Sequence, residues 1–309
     1  MKRILICGSN GLLGQRLALM FGKKTGPQRD FQYEVLNSSH HRMFVLDHHL
    51  FDYTQLDITN KSDVKSLVGS FRPDIIVNAA AMTNVDECEM QREAAWKINV
   101  TGVENLAEIA RRIGAKLVHI STDYVFDGKH GPYDEQARPN PINYYGKTKL
   151  AGENAIRASG VPHVILRTIV VFGTGINVKN NFALWVVKSL RENKKIRCVD
   201  DQVGNPTYVG DLAAAVKNAA ERDRCGVYHV CGANALSRFD FAVEIARAFN
   251  FDEMAIQRIK TSALQQPAPR PLKSGFILTK AEKEIDYHPM TSVQAIEALK
   301  RELLHVTLN

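Results

Sequence analysis

No stretch of this sequence approaches the ~20 consecutive apolar residues that cross a bilayer, which argues against a membrane-spanning helix. Cysteine is scarce as well. Cys7, Cys88, Cys198, Cys225 and Cys231 are odd in number and lack close paired spacing. That predicts reduced thiols rather than a disulfide framework or a zinc site. The doublets His40-His41 and His48-His49 have no Cys or His partner at ligand spacing, so they read as solvated loop residues and no metal is expected. There is no internal repeat and no low-complexity linker. The formal net charge is +7, with basic residues spread along the chain and no recognition motif beside them. Nucleic acid is therefore not an expected partner, and a basic cleft for a diphosphate accounts for part of the excess. The apolar run that follows Met1-Lys2-Arg3 is too short for a signal peptide, which predicts the first strand of a cytoplasmic protein.

What is present is an α/β pattern. The chain has 309 residues, 45% hydrophobic and 24% charged, enough for one large unit or two closely associated domains. Short β-branched runs alternate with amphipathic stretches: strands at Arg3–Cys7, Glu34–Leu36, Asp74–Asn78, Lys116–Ile120 and Val164–Arg167, helices at Leu12–Phe21 and Ala94–Ile113. A polar loop containing Gly26-Pro27 is expected before the second strand. The pattern predicts a Rossmann-type doubly wound parallel sheet over residues 1–170. Beyond Thr168 the regularity weakens: helices near Phe182–Leu190, Tyr208–Ala220 and Phe239–Phe249, a strand at Val227–Val230, and an extended Pro267-Ala268-Pro269-Arg270-Pro271 segment. Residues 171–309 are expected to form a smaller mixed C-terminal domain, mainly substrate-binding, with some segments returning to the sheet.

The segment Gly8-Ser9-Asn10-Gly11-Leu12-Leu13-Gly14 follows a strand and opens a helix. A turn free of side chains lets a pyrophosphate reach backbone N–H groups at the positive end of that helix. Gly8, Asn10, Gly11, Leu12, Leu13 and Gly14 are thus candidate cofactor contacts. Asp57-Ile58 would lie beside the adenine, and Ala79, Ala80 and Ala81 are small enough to let the chain run along the cofactor. The second strand ends in Asn37-Ser38-Ser39, then His40-His41-Arg42, with no acid to take a ribose 2′-hydroxyl. A hydroxyl and a guanidinium suit a 2′-phosphate, which favours NADP(H) with NAD(H) as the alternative.

The chemistry is expected in Tyr144-Tyr145-Gly146-Lys147-Thr148-Lys149. Tyr145 and Lys149 are four apart and share a helix face. An adjacent ammonium favours phenolate, so the pair can deliver a proton to a carbonyl oxygen while a nicotinamide delivers hydride to its carbon. Lys149 can also hold the ribose hydroxyls. Tyr144 with Lys147 is a competing pair. In Ser121-Thr122-Asp123, Thr122 is the expected hydrogen-bond donor to the carbonyl, with Ser121 as the alternative and a plain strand cap as the bland account. Asp123 is positioned for a sugar hydroxyl.

With these residues the chain resembles the dTDP-4-dehydrorhamnose reductase family of extended short-chain dehydrogenases. The likeness runs through Gly8 to Gly14, Val77 to Ala81, Ser121 to Phe126, Tyr145 to Glu153, Asn180-Asn181-Phe182, Asp201 to Thr207 and Arg270 to Ser274. It implies Thr122, Tyr145 and Lys149 as catalytic, Gly11 to Leu13, Asp57-Ile58 and Ala79 to Ala81 along the cofactor, and Thr122, Asp123, Asn181 and Arg270 at a nucleotide-sugar substrate. The implied reaction reduces the 4-keto group of dTDP-4-dehydro-L-rhamnose. Two departures stand out. Val170 lies where the resemblance leads one to expect a Trp against the sugar, so the exact sugar does not carry over. Arg16 lies where metal-binding members carry Glu; a cation there repels Mg²⁺, so the associated homodimer is not implied, although a homodimer stays open. The beta subunit of methionine adenosyltransferase resembles the same family and can retain the Tyr-Gly-Lys-Thr-Lys segment. A non-catalytic dinucleotide-binding regulatory subunit is therefore the second reading, and the complete proton-relay set favours the enzyme.

Overall fold

The computed structural model describes residues 1–22 and 32–306, and the Gly26-Pro27 loop lies outside the described residues. Six strands run in chain order, β1 (Lys2–Cys7), β2 (Tyr33–Ser39), β3 (Asp52–Gln55), β4 (Ile75–Asn78), β5 (Lys116–Thr122) and β6 (His163–Thr168), and all but β3 lie where the sequence pattern predicts a strand. With Gly226–His229 they form, among the described residues, a seven-stranded sheet in the order Gly226–His229, β6, β5, β4, β1, β2, β3. Every pairing is parallel. The near-continuous apolar runs Ile4–Cys7 and Ile75–Val77 are what a sheet covered on both faces requires.

Helices α1 (Leu12–Phe21), α2 (Lys61–Phe71), α3 (Val85–Met90), α4 (Arg92–Trp96), α5 (Gly102–Ile113), α6 (Tyr144–Ser159), α7 (Phe182–Arg191), α8 (Val209–Glu221), α9 (Arg238–Ala248), α10 (Thr279–Ile285) and α11 (Ser292–Val306) fill the rest. One face is covered by α1, α8 and α10 through Leu17, Phe21, Leu212, Val216 and Ile285. The other is covered by α2, α5 and α6 through Val64, Val68, Val103, Leu106 and Ile156. A separate cluster joins α7, α9 and α11 around Phe172, Val186, Phe241 and Leu299. No helix of the described residues is long and apolar enough to cross a membrane.

The chain turns opposite ways from β1 into β2 and from β4 into β5, so the crevice for a ligand opens beyond the carboxyl ends of β1 and β4. The helix expected over Ala94–Ile113 is interrupted by a π turn at Lys97–Thr101. Its cause is visible at Asn99, whose amide donates to Met82 O and Thr148 Oγ1 and accepts the Met82 N–H. Short strand pairs that sequence pattern did not reveal lie in the C-terminal half: Val171–Phe172 with Thr207–Tyr208, Val203–Gly204 with Leu236–Ser237, and Ile196–Val199 with Ile256–Ile259. A non-helical strap then crosses back. The Lys273 N–H donates to Gly128 O and the Ser274 N–H to Val203 O, so residues 272–274 are stitched to both halves.

Candidate active site

The glycine loop is shaped by close approach. Gly8 has φ +84°, and a Cβ there would lie 2.6 Å from Ala80 N. A side chain is therefore excluded both by conformation and by the Ala79-Ala80 backbone. Gly14 packs equally close to Gly8 O and Ser9. At Gly11 a Cβ would meet only Gly8 O, at 3.3 Å, and this residue caps α1 without any side-chain acceptor. The first-turn N–H groups of α1 thus face an open, side-chain-free approach, the geometry a pyrophosphate needs. Asn10 works behind this face: its amide donates to Met43 O and accepts the Val45 N–H, holding the loop after β2. Asp57 is exposed and accepts the Thr59 N–H, while Ile58 is buried into the space left by Gly102. Ala79, Ala80 and Ala81 are partly buried at the end of β4.

At the tip of β2 the hydroxyls are already occupied. Ser38 Oγ donates to Ile6 O, and Ser39 Oγ lies 2.8 Å from Tyr53 OH and accepts the His41 N–H. Arg42 is exposed and makes no ion pair among the described residues, which leaves its guanidinium as the free anion partner there. The second histidine doublet differs from expectation in one respect: Asp47 stands beside His48 and His49, with ligand atoms within 4.8 Å of one another. All three are exposed, and Asp47 accepts the His49 N–H as an ordinary Asx turn does.

Helix α6 begins at Asn143, whose side chain accepts the Gly146 N–H at 2.8 Å. Burial decides between the two tyrosine–lysine pairs. Tyr145 and Lys149 face inward at 8% and 2% exposure, whereas Lys147 is exposed and Tyr144 lies under Arg92. Ser121 is excluded from the cleft because its hydroxyl donates to the buried Glu153 at 2.6 Å. Thr122 does cap, accepting the Tyr124 N–H at 3.2 Å, but it also donates to Asp123 at 3.1 Å and lies near enough to the Tyr145 phenol to favour its ionised form.

Lys149 is expected to lower the Tyr145 pKa; in the cofactor-free protein burial dominates and pushes that phenol above its ordinary value. The ammonium instead reaches Ile120 O at 2.7 Å and His119 Nε2 at 3.3 Å. Burial lowers the Lys149 pKa to about 8. His119 is fully buried in mid-sheet, and burial together with Lys149 keeps it neutral. Asn78 uses its carbonyl on the Ala80 N–H and presents its NH₂ to His119 Nδ1 at 3.2 Å. Sequence reading gave His119 no role; its signal was a polar residue inside the otherwise apolar run Lys116–Ile120.

Asp123 is 4% exposed. Burial raises its pKa to about 6, against hydrogen bonds from Ser274 and Thr122 and the pull of Arg238. It lines a cleft with Tyr124, Val170, Gln202, Arg238 and Ser274. Val170, with φ +45°, is a β-branched residue in the left-handed region, and the turn it makes forms part of the cleft wall. The other two expected substrate contacts have structural partners. Asn181 caps α7, accepting the Leu184 N–H and donating to Gly173 O. Arg270 is 9% exposed along its side chain and makes a bidentate pair with Asp86 at 2.9 and 2.7 Å, fastening the Pro-rich strap to α3. Arg16 is held in an ion pair with Glu302 of α11, which also accepts the Tyr208 hydroxyl and Thr174 Oγ1.

Comparison with known proteins agrees with this geometry. The model of the RmlD substrate binding domain family matches residues 1–304. A dTDP-4-dehydrorhamnose reductase from Aggregatibacter actinomycetemcomitans is 35% identical, covering 97% of this chain and 99% of that one. The crystal structure of dTDP-4-dehydrorhamnose reductase from Bacillus anthracis str. Ames in complex with NADP superposes with a TM-score of 0.82 at 32% identity, covering 97% and 99% of the two chains. The methionine adenosyltransferase 2 subunit beta of Xenopus tropicalis is 32% identical over 91% of this chain and 82% of that one. The chain belongs to the RmlD family, that of the dTDP-4-dehydrorhamnose reductases.

Proposed function

We propose that the protein reduces the 4-keto group of dTDP-4-dehydro-L-rhamnose to give dTDP-L-rhamnose, with NADP(H) as cofactor. Family membership supports the reaction, as does the NADP-bound relative. The observation that carries the proposal is the buried phenol of Tyr145, packed edge-on against Tyr124, which lines a cleft together with Asp123. The glycine loop and the uncapped start of α1 fit the pyrophosphate, and Arg42 fits a 2′-phosphate. When bound, the nicotinamide supplies the hydride.

Everything else falls to side chains of this chain. Tyr145 is protonated in the cofactor-free protein and gives its proton to the carbonyl oxygen as negative charge develops there. Thr122 holds that oxygen. Lys149 contributes positive charge that stabilises the resulting phenolate and can hold ribose hydroxyls. Asp123 accepts from a sugar hydroxyl. Along the chain, this reading assigns the cofactor to residues 1–170 and the sugar mainly to residues 171–309.

The test is NADPH oxidation by purified protein supplied with dTDP-4-dehydro-L-rhamnose. Tyr145→Phe should lower kcat by roughly 10²–10⁴-fold with cofactor affinity intact. Tight NADPH binding with no oxidation would sink the rhamnose assignment. It would favour the regulatory-subunit reading that the similarity to the methionine adenosyltransferase beta subunit keeps in view.

A further inference from the structure

Arg238 opens α9 at the edge of the substrate cleft, where Leu236–Ser237 pairs with Val203–Gly204. Its backbone N–H donates to Gln202 O, which fixes where the side chain starts. The guanidinium makes no hydrogen bond and no ion pair among the described residues. Its contact is the face of the Phe182 ring, 5.1 Å from the centroid. Arg270, the other arginine within its electrostatic range, is neutralised by Asp86. Arg238 is part-buried and lies within electrostatic range of Asp123, Tyr124 and Arg270. Asp123 attracts it but does not reach it, so a gap separates the acid from the cation.

We infer that Arg238 takes the diphosphate of the nucleotide-sugar, binding the anionic end of a substrate whose sugar lies against Thr122 and Asp123. This rests on the nucleotide-sugar reading above and adds to it the residue that holds the charge. With the carbonyl at Tyr145 and Thr122, the formal charge of such a substrate lies at the opposite side of the ring, on the phosphates. Asp123 repels a phosphate and favours a hydroxyl donor. Arg238, across the cleft, has a planar fork of free N–H groups that matches phosphate oxygens two at a time. The two residues together set the direction in which the substrate enters, sugar first. An exposed arginine stacked on a ring would be a solvated side chain; what distinguishes this one is that burial lowers its pKa and that it faces a cleft wall carrying Asp123 and Tyr124.

Calorimetry on the full chain saturated with NADPH tests the assignment, using dTDP and thymidine as probes against wild type, Arg238→Lys and Arg238→Gln. Losing charge-assisted hydrogen bonds should weaken dTDP binding by about 10–100-fold in Arg238→Gln. Arg238→Lys should fall between, and thymidine affinity should not move. In steady state the same variant should raise KM more than it lowers kcat. Unchanged NADPH affinity certifies the fold of each variant. Equal dTDP affinity in wild type and Arg238→Gln overturns the inference, as does an equal loss for dTDP and thymidine. No dTDP binding by wild type overturns it too. The two readings fail separately. Loss of dTDP affinity in Arg238→Gln without any NADPH oxidation would retain the phosphate site and reject the rhamnose reaction. Oxidation with unaltered dTDP binding in the variant would do the reverse.

Discussion

Glu153 on α6 and Asp123 just after β5 are both buried acids, at 0% and 4% exposure, and they are in opposite states. Glu153 accepts from Ser121, from Arg167 at 2.9 and 2.7 Å, and from Arg157 at 2.9 Å. Burial pushes its pKa up, but these partners outweigh burial and hold it below the ordinary carboxylate range. Asp123 has two hydroxyl partners and a cation that does not reach it, so burial wins. Lys149 resembles Asp123: it is buried with a carbonyl and a neutral imidazole, and its charge is disfavoured too. Charges with complete partners hold β5, α6 and β6 together. Charges left incompletely satisfied mark the place where a ligand is to complete them.

The comparison breaks first at Glu153. Glu153→Gln leaves Arg167 as a buried cation without its counter-charge, and the expected loss is ~3–5 kcal/mol of stability in urea unfolding. A loss near zero would mean that the ion pair is not what joins these elements.

Asp123→Asn should do the opposite where the acid is ionised. A folded pKa raised to about 6 means that the folded state holds this proton more tightly than the unfolded chain does. The stability it contributes is full below the unfolded pKa near ~4 and is lost as pH rises through the folded value. At pH 8 the variant should therefore be more stable than wild type by up to ~3 kcal/mol, relative to their difference at pH 4. Equal differences at the two pH values would show that burial does not disfavour the charge.

The smallest expected effect is a pH limb. Lys149 ionises near 8 in the cofactor-free protein, so kcat/KM for NADPH should fall about tenfold per unit above that pH as the ammonium is lost. A profile flat to pH 10 would remove the ammonium from the proposed role.

Much of the fold was legible because its causes are local. Apolar runs such as Ile4–Cys7 and Ile75–Val77 specify strands, and Gly8, Gly11 and Gly14 specify a turn whose function lies in backbone N–H groups rather than side chains. That Tyr145 and Lys149 share a face was legible for the same reason, since four residues along a helix is one face, but that this face rather than that of Tyr144 and Lys147 is the buried one was not. The π turn at Asn99 was not, because it depends on Met82 and Thr148 from other elements. Nor were the partners of Arg270 and Asn181: the residue types pointed to ligand binding, and only contacts with Asp86 and Gly173 showed them holding the framework.

By itself, then, the sequence determined the sheet, the glycine turn and the sharing of one helix face by Tyr145 and Lys149, all of which follow from periodicity and short-range geometry. The tertiary structure alone decided which charges are satisfied. Whether a buried acid or base is ionised depends on how many donors and acceptors other segments bring within reach, as Arg167 on β6 reaches Glu153 on α6 while Arg238 stops short of Asp123.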